Sequence, residues 1–454
     1  MLTRRSLLGT GLGAGIGAGI GLGAAGLSGC APGGGSTVRN TPAPAAASTK
    51  DIAKMGSVTV TLLDFWSGAK WVTSTVSAFQ HKYPNVTVKR TTVDWGQLVQ
   101  TANLRLKDPT PPDVITVNNG WQSLGVLVKA GLVTNLDNFA KVFGWNKFPS
   151  TILRQTEFTP DGTKMGEGSL FGTPVSNSSL IGIYYNDAVL KKAGAEVPTD
   201  FAGFETACAK VKAAGINPIG YGSQEKGPNT AILLQLQDFF GSAQNINDFV
   251  YSTGKVSAAD TGLREAATKL AEYNAKQWLT PNYAGIQSAD AIDQFQQGKS
   301  AFQFQYTGSY TFTPAQRQTF GYLQLPQPGS GKVVGTGAST AVSMSSQCKN
   351  PEVAAALLDA LAGTQCAQFV VDNGLLPLLH KVTSPGDNPE FDTEITGQQA
   401  LDRDNGYVPY FDWSTPTMLD TLGTQVQLLL AGRGTPDSLV TAVQKDYDKF
   451  QASR

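Results

Sequence analysis

The sequence predicts an α/β fold built on parallel strands. Three observations carry this expectation. Short apolar runs alternate as strands do, amphipathic helical stretches separate them, and the two kinds follow one another in turn from about Ser57 onward. "VTVTLLDFW", residues 58–66, puts Val58, Val60 and Leu62 on one face of a half-buried strand. Val72, Val76 and Phe79 then recur at helical spacing. "NVTVKRTTV" reads as a second strand, residues 97–107 as a helix, and "DVITV" as a third strand. Strand, helix, strand, helix, strand implies right-handed crossovers between parallel neighbours. The pattern resumes at "LIGIYYN", followed by a helix over "NDAVLKKAG" that Gly194 ends. Residues 199–214 form an amphipathic helix with Phe201, Phe204, Cys208 and Val211 on its apolar stripe. "NPEVAAALLDALAG" opens a further helix, with Asn350 as cap, Pro351 in the first turn and Gly363 just past the end. No internal repeat stands out.

Composition bounds the function. The 454 residues are 41% hydrophobic and 15% charged, enough for a sizeable core in two or three domains. Lys+Arg and Asp+Glu are 35 each, and without Arg4 and Arg5 the balance is 33 against 35. No basic stripe points to nucleic acid. Four cysteines do not make a disulfide scaffold, and two histidines, His81 and His380, restrict both metal binding and acid–base chemistry.

The N-terminus reads as an address. Arg4 and Arg5 precede an uncharged, glycine-rich run from Leu7 to Leu27. A charged start, an apolar middle and small residues before a boundary describe an export signal over residues 1–29, and the arginine pair points to the twin-arginine route. So many glycines weaken a permanent membrane helix. "GAGIGA", residues 13–18, follows no strand and is not a dinucleotide loop. "LSGC" resembles the bacterial lipoprotein processing site, which implies that the Cys30 thiol takes a diacylglyceryl group. The Gly/Pro/Ala/Ser/Thr-rich segment after it reads as a flexible tether, residues 30–56.

Segments across about residues 57–450 resemble the extracellular solute-binding proteins of ABC importers, in the sugar-binding group that includes maltose-binding protein. "FQHKYPNVTVKR", "PPDVITVNN", "LVKAGLVTNLDNF" and "LFGTPVSNSSLIGIYYNDAVLKKAG" occur in that family's order. "AIDQFQQGKSAFQFQYTGSY", "GYLQLPQPGSGKVVGTGAS" and "NPEVAAALLDALAGTQCAQFVVDNGLLP" continue it. The resemblance implies two α/β lobes of the periplasmic-binding-protein type, with a ligand cleft between them and several hinge crossings. The lobes are expected at 57–165 plus 305–345 and at 170–300 plus 350–450. It implies a monomer that captures a carbohydrate, in particular an oligosaccharide, outside the membrane. The sugar passes to the transmembrane subunits of a permease, and the receptor is held to the membrane through lipid on Cys30. No cofactor and no metal are implied.

Ligands of open parallel sheets bind beyond the carboxyl ends of the strands. The first strand ends at Asp64, Phe65 and Trp66, with Lys70 and Trp71 in the continuing loop; the third ends at Asn118 and Asn119, followed by Trp121. Aromatic rings suit the apolar faces of a sugar, and carboxylates and amides suit its hydroxyl rim. An isolated aromatic is ordinarily core, and Trp95, Trp145 and Trp278 are read that way; tryptophans in polar loops at strand ends are candidates for ligand. The resemblance adds Glu225, with Tyr221 nearby, in "GYGSQEKGPNT", and Asn177 or Ser179 near a crossing. It also adds Tyr310, where the family commonly has Trp, and Gly335 and Gly337 at the cleft. Tyr410 and Trp413 in "NGYVPYFDWSTP" are candidate lids.

No catalytic residue is assigned. A Ser–His–Asp arrangement would have to use His81 or His380, and no nucleophile-elbow or zinc-helix motif accompanies either. Two carboxylates across a sugar cleft would suit a glycan-processing enzyme, which stays open as an alternative. So does a binder of another polar solute: a polyol, a glycerophosphodiester or a peptide. Among the candidate loops only Lys70 and Lys226 would favour a phosphate. Cys348 and Cys366 bracket the helix from Pro351 and form a candidate disulfide, provided the chain turns back after Gly363. Cys208 is expected as a buried free thiol.

Overall fold

The computed structural model describes residues 49–227, 230–310, 312–378, 386 and 388–454. The expected export signal, Cys30 and His380 lie outside these residues. Among those described, the strands in chain order are β1 Val58–Asp64, β2 Val86–Thr92, β3 Val114–Val117, β4 Glu157–Phe158, β5 Ser169–Leu170, β6 Thr173–Pro174, β7 Ser179–Asn186, β8 Asn217–Gly220, β9 Ser300–Tyr306, β10 Phe320–Leu323, β11 Gly335–Ala338, β12 Ala341–Met344 and β13 Tyr407–Val408. They build two larger sheets and the small β4–β5 pair.

The first sheet has the order β2-β1-β3-β12-β6. β1 is parallel to β2 and β3, with Val60 opposite Val88 and Leu63 opposite Ile115. β12 runs antiparallel to both β3 and β6. The helices between the first strands form as their spacing predicts. Lys70–Lys82 buries Trp71, Val72, Val76 and Phe79 against the sheet. Trp95–Leu106 starts where the Asp94 carboxylate accepts from the backbone N–H groups of Gly96 and Gln97, a cap that satisfies otherwise orphaned donors. The second sheet has the order β13-β11-β7-β9-β8, with β10 on the free part of β7. Helix Phe201–Ala213 covers it with Phe201, Phe204, Cys208 and Val211 buried, capped by Asp200.

The chain crosses between the sheets at three places. Residues 175–178 link β6 to β7, and 339–340 link β11 to β12. The segment after Asp372 leads to helix Pro389–Asp404, which packs on β10. These crossings correct the expected lobe boundaries. Residues 305–338 belong to the second lobe, because β9 is held between β7 and β8. Helices Pro351–Ala362 and Thr364–Asp372 belong to the first, because the chain has already returned through β12, and they pack on helix Lys70–Lys82.

Two further expectations are corrected. The tether does not run to residue 56. Thr49–Lys54 forms a 3-10 helix whose Ile52 is 1% exposed in the first lobe's core, and the Asn85 amide donates to the Ile52 and Met55 carbonyls. Cys348 and Cys366 are both free thiols. The chain bends by only 46° after Ala362 instead of turning back, and twelve intervening helical residues span about 18 Å, far beyond disulfide reach. Asn350 precedes Pro351 as expected, but its side chain makes no capping bond. Cys208 is buried and free as anticipated.

A carboxyl pair lies in the second lobe's core. Glu394 on helix Pro389–Asp404 is buried, and the Tyr184 hydroxyl donates to its Oε1. Burial, then the neighbouring Glu390, pushes the Glu394 carboxyl well above its usual range; burial also raises Glu390, against the opposing charge of Arg317. The folded state therefore keeps protons that the unfolded chain releases, so this pair costs stability as pH rises above about 4.5. Glu394→Gln keeps an acceptor for Tyr184 and removes the charge. Its thermal midpoint should fall less between about pH 5 and pH 8 than that of the wild type, and lie above it at the upper end; a parallel slope would contradict the assignment.

Candidate ligand cleft

Strand direction places the cleft. In the first sheet the carboxyl ends of β1, β2 and β3 lie at one edge, joined by the start of antiparallel β12, since Ala341 pairs with Val117. In the second sheet the ends of β8, β9, β11 and β13 share an edge with the start of β7, since Ala338 pairs with Ser179 and Thr336 with Val408. Two of the three crossings leave or enter at these same edges, β6 to β7 and β11 to β12. The carboxyl-end loops of both sheets therefore meet around the crossings, the arrangement that permits hinge closure on a ligand.

The first lobe's loop after β1 is held by a buried ion pair. Asp64 is fully buried; its carboxylate accepts from the Trp66 backbone N–H at 2.8 Å and from Arg90 Nε at 2.6 Å and Nη2 at 2.9 Å. Arg90 also donates to the Trp66 carbonyl. Asp64 thus shapes the loop rather than offering itself to a ligand. Trp66 is nearly buried, edge-on to Trp71 at 5.0 Å. Trp71, 2% exposed, is core, because it sits one residue inside the helix on its buried face. Lys70 is exposed at the helix start. Phe65 is half-buried and lies 4.9 Å from Trp66 and 4.6 Å from Trp95. Phe65 and Trp95 were not expected at the cleft, yet they sit just past the ends of β1 and β2. The available signal was Phe65's place between a strand end and a polar loop.

After β3 the residues divide. Asn118 Oδ1 accepts from the indole N–H of Trp413 at 3.1 Å, joining the two lobes. Gly120 has φ +68°, and a Cβ there would lie 2.3 Å from that of Trp413. Asn119 is buried and committed to the crossing: Nδ2 donates to the Ser339 carbonyl and Oδ1 accepts from the Ala341 N–H. Trp121, also 2% exposed, is wedged between Phe158 and Phe450 with the Arg454 guanidinium over it. It is packing between lobes rather than a free sugar platform.

The second lobe gives a similar division. Tyr410 and Trp413 have rings 5.0 Å apart, and Tyr410 reaches the Ser179 hydroxyl at the start of β7. Both stand at the lobe junction. Tyr306, at the end of β9, lies 6.0 Å from Tyr410. Asn177 is half-buried on a crossing, bridged to Pro377. Tyr221 is buried against Tyr283. The exposed Glu225 accepts from the Ser288 N–H at 2.9 Å, and Lys226 pairs with Asp420. Tyr310 donates to Gln303 at 2.7 Å and stacks on Phe312 within an aromatic cluster with Tyr184 and Phe295; it is half-buried, with its ring engaged in that cluster. Gly335 and Gly337 make room for neighbours, since a Cβ would meet Leu401 at 2.9 Å and Leu180 at 2.4 Å respectively. Beneath these loops, Asp238 holds the Thr336 N–H at 2.8 Å, and burial pushes its carboxyl up to about 7. A solvent-open groove runs elsewhere, along helix Pro436–Gln451, and none of the expected ligand residues lines it.

Residues 74–395 match the family model described as bacterial extracellular solute-binding protein. The chain belongs to the bacterial extracellular solute-binding proteins. A Brucella abortus (strain 2308) relative named "Putative binding protein" is 24% identical over 369 residues, covering 80% of this chain and 85% of that one. The "Probable sugar-binding periplasmic protein" of Rhizobium meliloti (strain 1021) is 33% identical over 119 residues, 25% of this chain and 27% of that one. Among solved structures, one titled "Chitin oligosaccharide binding protein" superposes with TM-score 0.73 at 18% identity, covering 87% of this chain and 99% of that one. It shares the two-lobed fold of this solute-binding protein.

Removing one partner of a buried ion pair leaves an uncompensated charge. Arg90→Ala should therefore destabilise the protein by roughly 3 kcal/mol or more in urea unfolding. A change below about 0.5 kcal/mol, the level of an exposed pair, would show that Asp64 does not depend on Arg90.

Proposed function

We propose that this chain is the substrate-binding component of an ABC importer. It captures a carbohydrate, an oligosaccharide rather than a single sugar, outside the membrane and delivers it to the permease. Lipid on Cys30 tethers it to the membrane, and it works as a monomer without a cofactor and without chemistry on its ligand.

The single observation behind the sugar assignment is the pair of aromatic groups at facing sheet edges. Half-buried Phe65 and Trp95 line the first lobe's edge beside the nearly buried Trp66, while half-buried Tyr410 lines the second's beside the buried Trp413. Asn118 supplies an amide between them. Rings that can cover both faces of a pyranose, with amide and hydroxyl groups at the rim, suit a polyhydroxyl ligand better than a phosphate. Lys226 is engaged by Asp420, which leaves Lys70 as the nominated cation that could face an anion. The saccharides and sugars named for a structural neighbour and a partial relative favour the same class.

Binding to the folded state raises stability by mass action, about 2.7 kcal/mol at a hundredfold excess over Kd. In a thermal-shift screen of chitotriose, xylobiose, maltotriose, raffinose and galactose, at least one saccharide should raise the midpoint by several degrees. A shift with a peptide or a glycerophosphodiester and none with any saccharide would overturn the assignment.

A further inference from the structure

We propose that Asp412 is the carboxylate that orients the sugar on the second lobe's side of the cleft, accepting its hydroxyl hydrogen bonds, with Gln235 as a deeper polar contact. This rests on the sugar reading above. Asp412 occupies the short 3-10 helix Phe411–Ser414, directly after β13. Its neighbours anchor that turn in opposite directions. Phe411 stacks on Phe249 inside the lobe at 4.8 Å, and Trp413 reaches across to Asn118. Between them Asp412 is only 6% exposed.

The other buried acids among the described residues are all engaged. Asp64 has Arg90, Asp238 has Thr336, Glu394 has Tyr184, and Glu390 has Glu394. The Asp412 carboxylate has its own backbone N–H and no side-chain partner. A buried carboxylate with a single backbone donor is costly, and a ligand rich in hydroxyl donors offsets that cost on binding. Glu225, the acid expected in this role, is exposed and latched to the Ser288 N–H.

An unpartnered polar side chain lies on helix Ala231–Phe240. Gln235 is fully buried, and neither its amide nitrogen nor its oxygen has a hydrogen-bond partner. It stands three residues before Asp238 on helix Ala231–Phe240, so it shares the face turned to β11 and lies one turn nearer the helix start. That start follows the loop that leaves the cleft edge after β8. The groups facing Asp412 are Tyr306 from β9 and Tyr410 from its own loop, and Tyr410 in turn faces Asp238. Burial keeps both tyrosines neutral at all physiological pH values.

Burial pushes the Asp412 carboxyl up to about 7. The ionised form is the better acceptor, so affinity should rise as pH increases through that value. Isothermal titration of the same five saccharides at about pH 5.5 and about pH 8 tests this. The wild type should bind at least one of them roughly tenfold more tightly at the higher pH. Asp412→Asn should bind at least about tenfold more weakly at the higher pH, with a flat pH profile. Its thermal midpoint without ligand should equal or exceed the wild type's, because a buried charge is gone. Asp238 titrates in the same range, and comparison with the variant removes its contribution. If the wild type binds and Asp412→Asn matches it in affinity and pH profile, the proposal is overturned and the sugar reading stands. If the wild type binds none of the five, the sugar reading falls and the proposal with it. If Asp412→Asn and Asp412→Ser both fail to fold, Asp412 is structural and the proposal is overturned.

Discussion

The side chain of Asn119 fixes the geometry on which the cleft depends. It is buried at the end of β3, and its amide spans the shortest crossing, donating to the Ser339 carbonyl and accepting from the Ala341 N–H. Those bonds tie a strand end of the first sheet to the chain as it arrives from the second. Gln155 extends the tie, its amide donating to the Gly337 carbonyl inside β11. With the crossing pinned on both sides of Thr340, the carboxyl edges of the two sheets stay beside the crossings and can face one another. An asparagine suits this place because one planar group offers a donor and an acceptor to two backbone positions. Burying it unpaired would cost a few kcal/mol, so the crossing and β3 are held in register.

Charge burial follows the same logic. Asp64 tolerates complete burial because Arg90 forks onto it and because it also stabilises the Trp66 turn. Asp238 is held by a backbone N–H and a hydroxyl, and Glu394 by a tyrosine hydroxyl. These bonds shape loops and clamp strands to helices. These structural acids each take a hydrogen bond from another residue of the protein, whereas Asp412 at the lobe junction takes one only from its own backbone N–H. Rigid elements thereby position the few residues that remain available.

Much of the first lobe was legible in the sequence. Val58, Val60 and Leu62 alternate because one face of β1 meets helix Lys70–Lys82, whose own stripe is Trp71, Val72, Val76 and Phe79. The lobe boundaries were not legible. β9, β11 and β12 are all short apolar runs, and nothing local says which sheet a strand joins. The site was half legible, since strand ends locate the loops but not the direction of each ring. Trp66 and Trp71 are five residues apart, and both turn into one core, where their rings meet edge-on. Tyr310 stacks in an aromatic cluster whose members come from three separate segments. Gly335 and Gly337 resemble a ligand approach, but they answer to Leu401 and Leu180, residues distant in sequence. Ile52 was hidden for a similar reason: a composition suited to a tether says nothing of one apolar residue that finds a core.

The central claim is that one ligand engages the carboxyl edges of both sheets. Hydrogen exchange of backbone amides, with and without the saccharide that binds, tests it most directly. The account predicts slowed exchange in two places at once: residues 65–70, 93–96 and 118–122 of the first lobe, and residues 221–227 and 409–414 of the second. Protection confined to one lobe, or centred on residues 440–449 along the C-terminal helix, would contradict it.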